Sequence, residues 1–231
     1  MQPLKLFLGA SAALAIGMGV AQAGAINFNQ IITSPLVVHV WYGTGTTDFA
    51  APNSTPGGPY TANFTYTGPI YFVNNNPQSG ANTFGDFFGA NSTGISGFSG
   101  TGITTETGFL GATMSMPNSL GAGGYNTYMS FSGTYTATGM TSLTITHDDG
   151  ASFYVGDSGI SGLYSPNPTS AISNTGWLTG GTNVAFDLYY VEANGAPAVL
   201  KAVNAPEPGA LVIFAAGLLG MGWMLRRRNV R

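Results

Sequence analysis

Apolar and polar positions alternate in short runs along the middle of the chain, and each run ends in Gly, Asn, Pro, Ser or Thr. The runs are Leu36-Val37-Val38-His39-Val40-Trp41-Tyr42, Phe64-Thr65-Tyr66, Ile70-Tyr71-Phe72-Val73, Met129-Ser130-Phe131, Leu143-Thr144-Ile145-Thr146, Ser152-Phe153-Tyr154-Val155 and Ala185-Phe186-Asp187-Leu188-Tyr189-Tyr190-Val191. A period of two places successive side chains on opposite faces, so these runs predict half-buried strands. Gly, Ser and Asn dominate from Asn74 to Gly124 and the alternation fades, which predicts long loops or decorated strands there. No repeat of fixed period is present.

Composition agrees with an all-β reading. Apolar residues make up 44% of the 231 positions, enough for a hydrophobic core, whereas charged residues are 6% and Gly fills 35 positions. Such a mixture is poor material for amphipathic helices. Between Gly24 and Ala205 eight acidic residues face a single basic one, Lys201, which leaves a formal charge of −7. Nucleic acid is therefore excluded as a partner, because neutralising phosphates takes clustered Lys or Arg. The absence of cysteine removes disulfides, thiolate metal sites and cysteine nucleophiles together.

Both ends carry addresses. Lys5, the apolar run Leu6 to Val20 and the small residues Ala21 and Ala23 around Gln22 form the tripartite layout of a secretory signal peptide, with a signal helix and cleavage after Ala23. At the other end, Ala205-Pro206-Glu207-Pro208-Gly209 precedes an apolar run from Ala210 to Leu225 and then Arg226-Arg227-Arg228. A helix over 210–225 rises about 24 Å, slightly short of the hydrocarbon thickness of a bilayer. It spans the membrane only with local thinning or snorkelling arginines, and those arginines place its C-terminus in the cytoplasm. The expected organisation is a signal peptide over 1–23, a β body over 24–204 and a sorting tail over 205–231.

Pro206-Glu207-Pro208, one hydrophobic helix and the arginine cluster together resemble the PEP-CTERM sorting signal. That resemblance implies recognition by a membrane-embedded exosortase, cleavage near the tripeptide, and delivery from the inner membrane to the envelope surface or exopolysaccharide (biofilm) matrix of Gram-negative bacteria. The two prolines hold the recognition segment extended, because each fixes its own φ and biases its predecessor away from helix.

Within the body, Leu143-Thr144-Ile145-Thr146-His147-Asp148-Asp149-Gly150 runs into Ala151-Ser152-Phe153-Tyr154-Val155-Gly156, which reads as strand, acidic turn and strand in a hairpin. Phe186 to Glu192 and Ala198 to Lys201 follow as strands that close the sheet. This order resembles the protective-antigen-type β-sandwich, a sugar-binding and adhesin module with a strand ending in Ser/Thr-x-Asp-Asp-Gly. The resemblance covers mainly Tyr128 to Ala202 and implies an antiparallel β-sandwich with long Gly/Asn/Thr-rich loops. It also implies that Asp148 and Asp149, joined by a cis peptide, hold a calcium ion through which saccharide hydroxyls are read. Calcium takes six to eight oxygens, so carbonyls or amides from another loop must complete the shell. Two readings of Asp148-Asp149-Gly150 thus stand side by side, a plain hairpin turn and a calcium site.

Other chemistries find less support. Gly156-Asp157-Ser158-Gly159 is like the serine segment of chymotrypsin-type proteases, but a triad needs a histidine and a buried carboxylate, and only His39 and His147 exist. His147 reads as a surface histidine near a turn. Asp148, Asp187 and Glu192 have no spacing that selects a glycosidase pair. Trp177, Tyr189 and Tyr190 suit either a core or sugar stacking. The expected function is a non-enzymatic surface or matrix protein with calcium as its candidate cofactor and polysaccharide as its candidate partner. A secreted hydrolase is the alternative.

Overall fold

The computed structural model describes residues 28–43, 46–57, 59–74, 82–115, 126–193 and 195–203. The signal peptide with Ala21 and Ala23, and the tail with Pro206, Glu207, Pro208 and Arg226 to Arg228, lie outside the described residues. Among the described residues no helix is long and apolar enough to cross a membrane.

Among the described residues thirteen strands form the body: β1 (Leu36–Gly43), β2 (Ala62–Tyr66), β3 (Tyr71–Asn74), β4 (Asn82–Thr83), β5 (Ile95–Gly100), β6 (Thr113–Ser115), β7 (Asn126–Ala137), β8 (Thr141–Asp148), β9 (Gly150–Val155), β10 (Ser158–Ser165), β11 (Ile172–Leu178), β12 (Gly181–Glu192) and β13 (Ala198–Val203). They build a seven-stranded sheet in the order β10-β9-β12-β7-β1-β2-β5, a four-stranded sheet β11-β8-β13-β3 and a ribbon β4-β6. Every pairing within them is antiparallel.

The two larger sheets share one core. In β1, Leu36, Val38 and Val40 point inward and Val37 outward, as the alternation predicts. Phe72 on the four-stranded sheet stacks on Phe131 of the seven-stranded sheet at 6.0 Å between ring centroids, which fixes the layers face to face. The result is an all-β antiparallel sandwich.

Two expectations need correction. The segment after Asn74, expected as long loops or decorated strands, supplies the ribbon and β5 but also two short helices, α2 (Phe84–Phe88) and α3 (Glu106–Leu110), which follow α1 (Phe28–Ile31). Thr83 caps α2 by accepting the Asp86 N–H, and Asp86 returns the bond in a capping box. Phe84, Phe87, Phe88 and Phe109 are all buried, and each contributes about 1.5–3 kcal/mol to the core's stabilisation.

The second correction concerns Asp148-Asp149-Gly150, which is not a hairpin. β8 pairs with β11 and β13, whereas β9 pairs with β10 and β12. At Asp149 the chain therefore crosses from one sheet to the other. From β7 to β13 it repeats such crossings, between β7 and β8, β10 and β11, β11 and β12, and β12 and β13. Three of these corners, after β8, β10 and β12, gather at one end of the sandwich and build the site described next.

Candidate functional site

Asp148 ends β8 and Asp149 occupies the crossover, joined by a cis peptide bond. Both border a cleft of about 220 Å³ whose other walls are Pro168, Thr169 and Ser170 between β10 and β11, and Gly195, Ala196 and Pro197 between β12 and β13. Asp148 is 8% exposed and Asp149 3%.

The surroundings hold the pair from behind. One Asp149 carboxylate oxygen accepts the Ala193 N–H at 2.7 Å. The Asp149 carbonyl lies 2.5 Å from His147 Nδ1, and the Asn174 amide approaches His147 Nε2 at 2.8 Å. The Asp148 carbonyl accepts the Tyr190 hydroxyl. That hydroxyl is also 2.8 Å from Glu192 Oε2, and Glu192 Oε1 accepts from Ser115 Oγ at 3.2 Å. Tyr190 is fully buried and stacks on Phe87 at 5.4 Å.

Electrostatics follow from this burial. Desolvation pushes the Asp148 carboxyl up to about 6, the Asp149 charge pushes the same way, and the Ala171 N–H opposes both. Glu192 stands well above the ordinary carboxylate range, first through burial and then through Asp149 and Asp148. Burial lowers His147, against the Asp149 carbonyl and the Asp149 charge, which raise it. Among the described residues no compensating lysine or arginine stands beside the pair: Lys201, the one such residue there, lies with Nζ 5.2 Å above the Tyr71 ring.

An all-oxygen donor set fits a hard cation such as calcium and not zinc. Among the described residues no group of three or more His, Cys, Asp or Glu side chains could hold a metal ion. Beyond the two carboxylates, the Thr169 and Ser170 hydroxyls and the cleft's backbone carbonyls are the oxygens available.

The other sequence candidates do not converge here. His147 is 1% exposed and not a surface residue, because its position on β8 alternates inward with Leu143 and Ile145. Both of its ring nitrogens are engaged, and Ser158 sits at an exposed hairpin after Gly156-Asp157, so no protease triad is assembled. Asp187 lies away from the cleft, on the outer face of the seven-stranded sheet, bonded to Ser132. His39 occupies the same outer face, stacked on Tyr60 at 4.5 Å. Tyr190 is core, whereas Trp177 is 44% exposed on the four-stranded sheet.

Sequence reasoning missed Ser115 and Asn174 altogether and gave Tyr190 and Glu192 no part in holding the aspartates. One signal was available: Tyr190 and Glu192 are two residues apart, the spacing that puts both on one face of a strand.

No curated protein matches the chain. Among solved structures, a PA14 sugar-binding domain from an RTX adhesin is 14% identical, with 74% of this chain and 88% of that one covered and a TM-score of 0.49. The PA14 domain of an antifreeze protein is 15% identical over 77% and 86%, with a TM-score of 0.49. A GH31 α-xylosidase from Xanthomonas citri is 8% identical, with 82% of this chain but only 16% of that one covered and a TM-score of 0.40. At these scores the likenesses decide neither fold nor activity. Residues 204–228 match the model of the PEP-CTERM protein-sorting motif. The chain carries that motif, which marks it for export to the cell envelope or surface.

Proposed function

We propose that this is a non-enzymatic protein of the cell surface or exopolysaccharide matrix that binds carbohydrate through a calcium ion held by Asp148 and Asp149. The supporting observation is the cleft itself, where two adjacent buried carboxylates meet hydroxyls and carbonyls from two further corners of the sandwich. Calcium would supply the positive charge that this acidic pocket lacks and coordination positions for saccharide hydroxyls. The protein's own residues fix the carboxylates, exclude bulk water from their inner side and leave the cleft side open. Glu192 faces inward and is sealed from solvent, and Asp187 lies away from the cleft, so Asp148, Asp187 and Glu192 share no substrate space as a glycosidase pair would.

Exosortase, by this reading, cuts the tail near Pro206-Glu207-Pro208 after the 210–225 helix has held the chain in the inner membrane. A glycan array probed with and without calcium tests the binding. Calcium-dependent retention of a polysaccharide supports the reading, and release of reducing sugar or peptide by the protein contradicts its non-enzymatic part.

A further inference from the structure

The hydrogen atoms around the aspartate pair can be counted. Asn174 offers only N–H groups to His147 Nε2, so that nitrogen accepts, and the ring hydrogen sits on Nδ1 and points at the Asp149 carbonyl. Tyr190 has one hydroxyl hydrogen and two oxygen neighbours, the Asp148 carbonyl and Glu192 Oε2. A carbonyl can only accept, so the Tyr190 hydrogen belongs to Asp148. The contact between Tyr190 and Glu192 Oε2 then needs a second hydrogen, which Glu192 must carry. Glu192 Oε1 remains free to accept from Ser115 Oγ.

The bonds therefore run in one direction, from Ser115 to Glu192 to Tyr190 to the Asp148 carbonyl. A second short relay runs from Asn174 through His147 to the Asp149 carbonyl. Each backbone oxygen of the aspartate pair is thereby gripped from the interior by a side chain whose own acceptor is satisfied from behind. Ser115 joins this arrangement through the β4-β6 ribbon, where it pairs with Asn82, and Thr127 Oγ1 ties the neighbouring Met114 carbonyl to β7 at 2.5 Å. Glu192 is fully buried, so bulk water does not compete for these bonds.

We propose that Glu192 is a positioning residue for the Asp148–Asp149 cation site, acting as a hydrogen-bond donor through Tyr190 on the Asp148 carbonyl. This rests on the calcium reading given above. Glu192 touches neither the cleft nor the ion; it sets where the Asp148 backbone, and hence its carboxylate, stands. A donor role separates it from an ordinary buried charge, because glutamine can take its place: Nε2 donates to Tyr190 and Oε1 accepts from Ser115.

The test is calcium titration calorimetry at pH 7.5 on the full chain in mild detergent, with Glu192→Gln, Glu192→Met and Tyr190→Phe. Glu192→Gln is expected to bind calcium within about twofold of the unaltered chain, and Glu192→Met at least about tenfold more weakly. If Glu192→Met does not fold, Tyr190→Phe reads the same link, since it removes the hydrogen and keeps the ring on Phe87. Infrared spectra at the same pH should show the carbonyl stretch of a protonated carboxylic acid that Glu192→Gln abolishes. Equal affinity in the unaltered chain and either disruptive variant, a Gln variant as weak as Met, or the absence of that infrared band overturns the proposal. Failure of the unaltered chain to bind calcium overturns the site reading and this inference together, whereas binding that ignores Glu192 and Tyr190 overturns the inference alone.

Discussion

Gly150 lies against the backbone of Pro166 so closely that a Cβ at Gly150 would stand 2.3 Å from the Pro166 carbonyl oxygen. That same oxygen accepts the Ala50 N–H at 2.9 Å, so it cannot retreat freely. The contact brings the crossover after Asp149 against the loop that lines the other side of the cleft. Gly150→Ala is expected to destabilise the protein by about 2 kcal/mol, the usual scale of overpacking, and to weaken calcium binding by spreading the cleft. Urea denaturation followed by calcium titration checks both, and an alanine variant as stable as the parent contradicts the geometry.

The Asp148 carboxyl, raised from its ordinary 3.8 to about 6, makes two pH dependences measurable. Without calcium, the folded chain keeps a proton that the unfolded chain has lost between these values. Stability is therefore expected to fall as pH rises from about 4 to 6. Calcium needs the ionised carboxylate, so its affinity should fall below about pH 6, by up to about tenfold per pH unit for each proton displaced. Asp149 beside it, Tyr190 and Glu192 from β12 and His147 from β8 are the titratable groups that share this field. Calorimetry at pH 5.0 and 7.5 separates the outcomes, and equal affinity at both would show that no proton is displaced.

Phe87 is expected to be the most telling core position in the stretch after Asn74. It stacks on Tyr190 at 5.4 Å and lies 5.0 Å from Phe72, so it joins α2 to both sheets. Phe87→Ala should cost about 3–5 kcal/mol and also loosen Tyr190. Thermal unfolding measures the first effect; a loss below about 1 kcal/mol would mean that α2 does not close the core.

How much of this was legible in the sequence differs from element to element. The alternation in β1 and β12 reported their inward faces correctly, because burial on one side of a sheet imposes period two on any sequence. Asp148-Asp149-Gly150 misled because an Asp-Gly turn and a crossover between sheets have the same local chemistry. Only the partners of β8 and β9, which lie far along the chain, distinguish them. Around α2 a signal existed in Thr83-x-x-Asp86, with Phe84, Phe87 and Phe88 at helical spacing, but it is a single turn within a Gly-rich stretch. Ser115 could not have been found, since its bond to Glu192 joins residues 77 apart and nothing local to Ser115 announces it.

Processing gives an independent prediction. The PEP-CTERM motif at 204–228 implies that surface material lacks the segment after about Pro208. Replacing Pro206, Glu207 and Pro208 with alanine is expected to leave the chain in the inner membrane. Mass spectrometry of surface protein checks this, and an intact C-terminus at Arg231 would contradict it.

The central claim is that Asp148 and Asp149 hold calcium, and the melting temperature with and without the ion tests it most directly. A ligand at one hundred times its Kd stabilises the folded state by about 2.7 kcal/mol, which for a domain of this size is a rise of about 5–10 °C. Asp149→Asn can still accept the Ala193 N–H but loses the charge, so it should fold and show almost none of the rise. The expected result is a calcium-dependent increase in the unaltered protein that Asp149→Asn abolishes; a melting curve of the unaltered protein that millimolar calcium leaves unmoved would contradict the account.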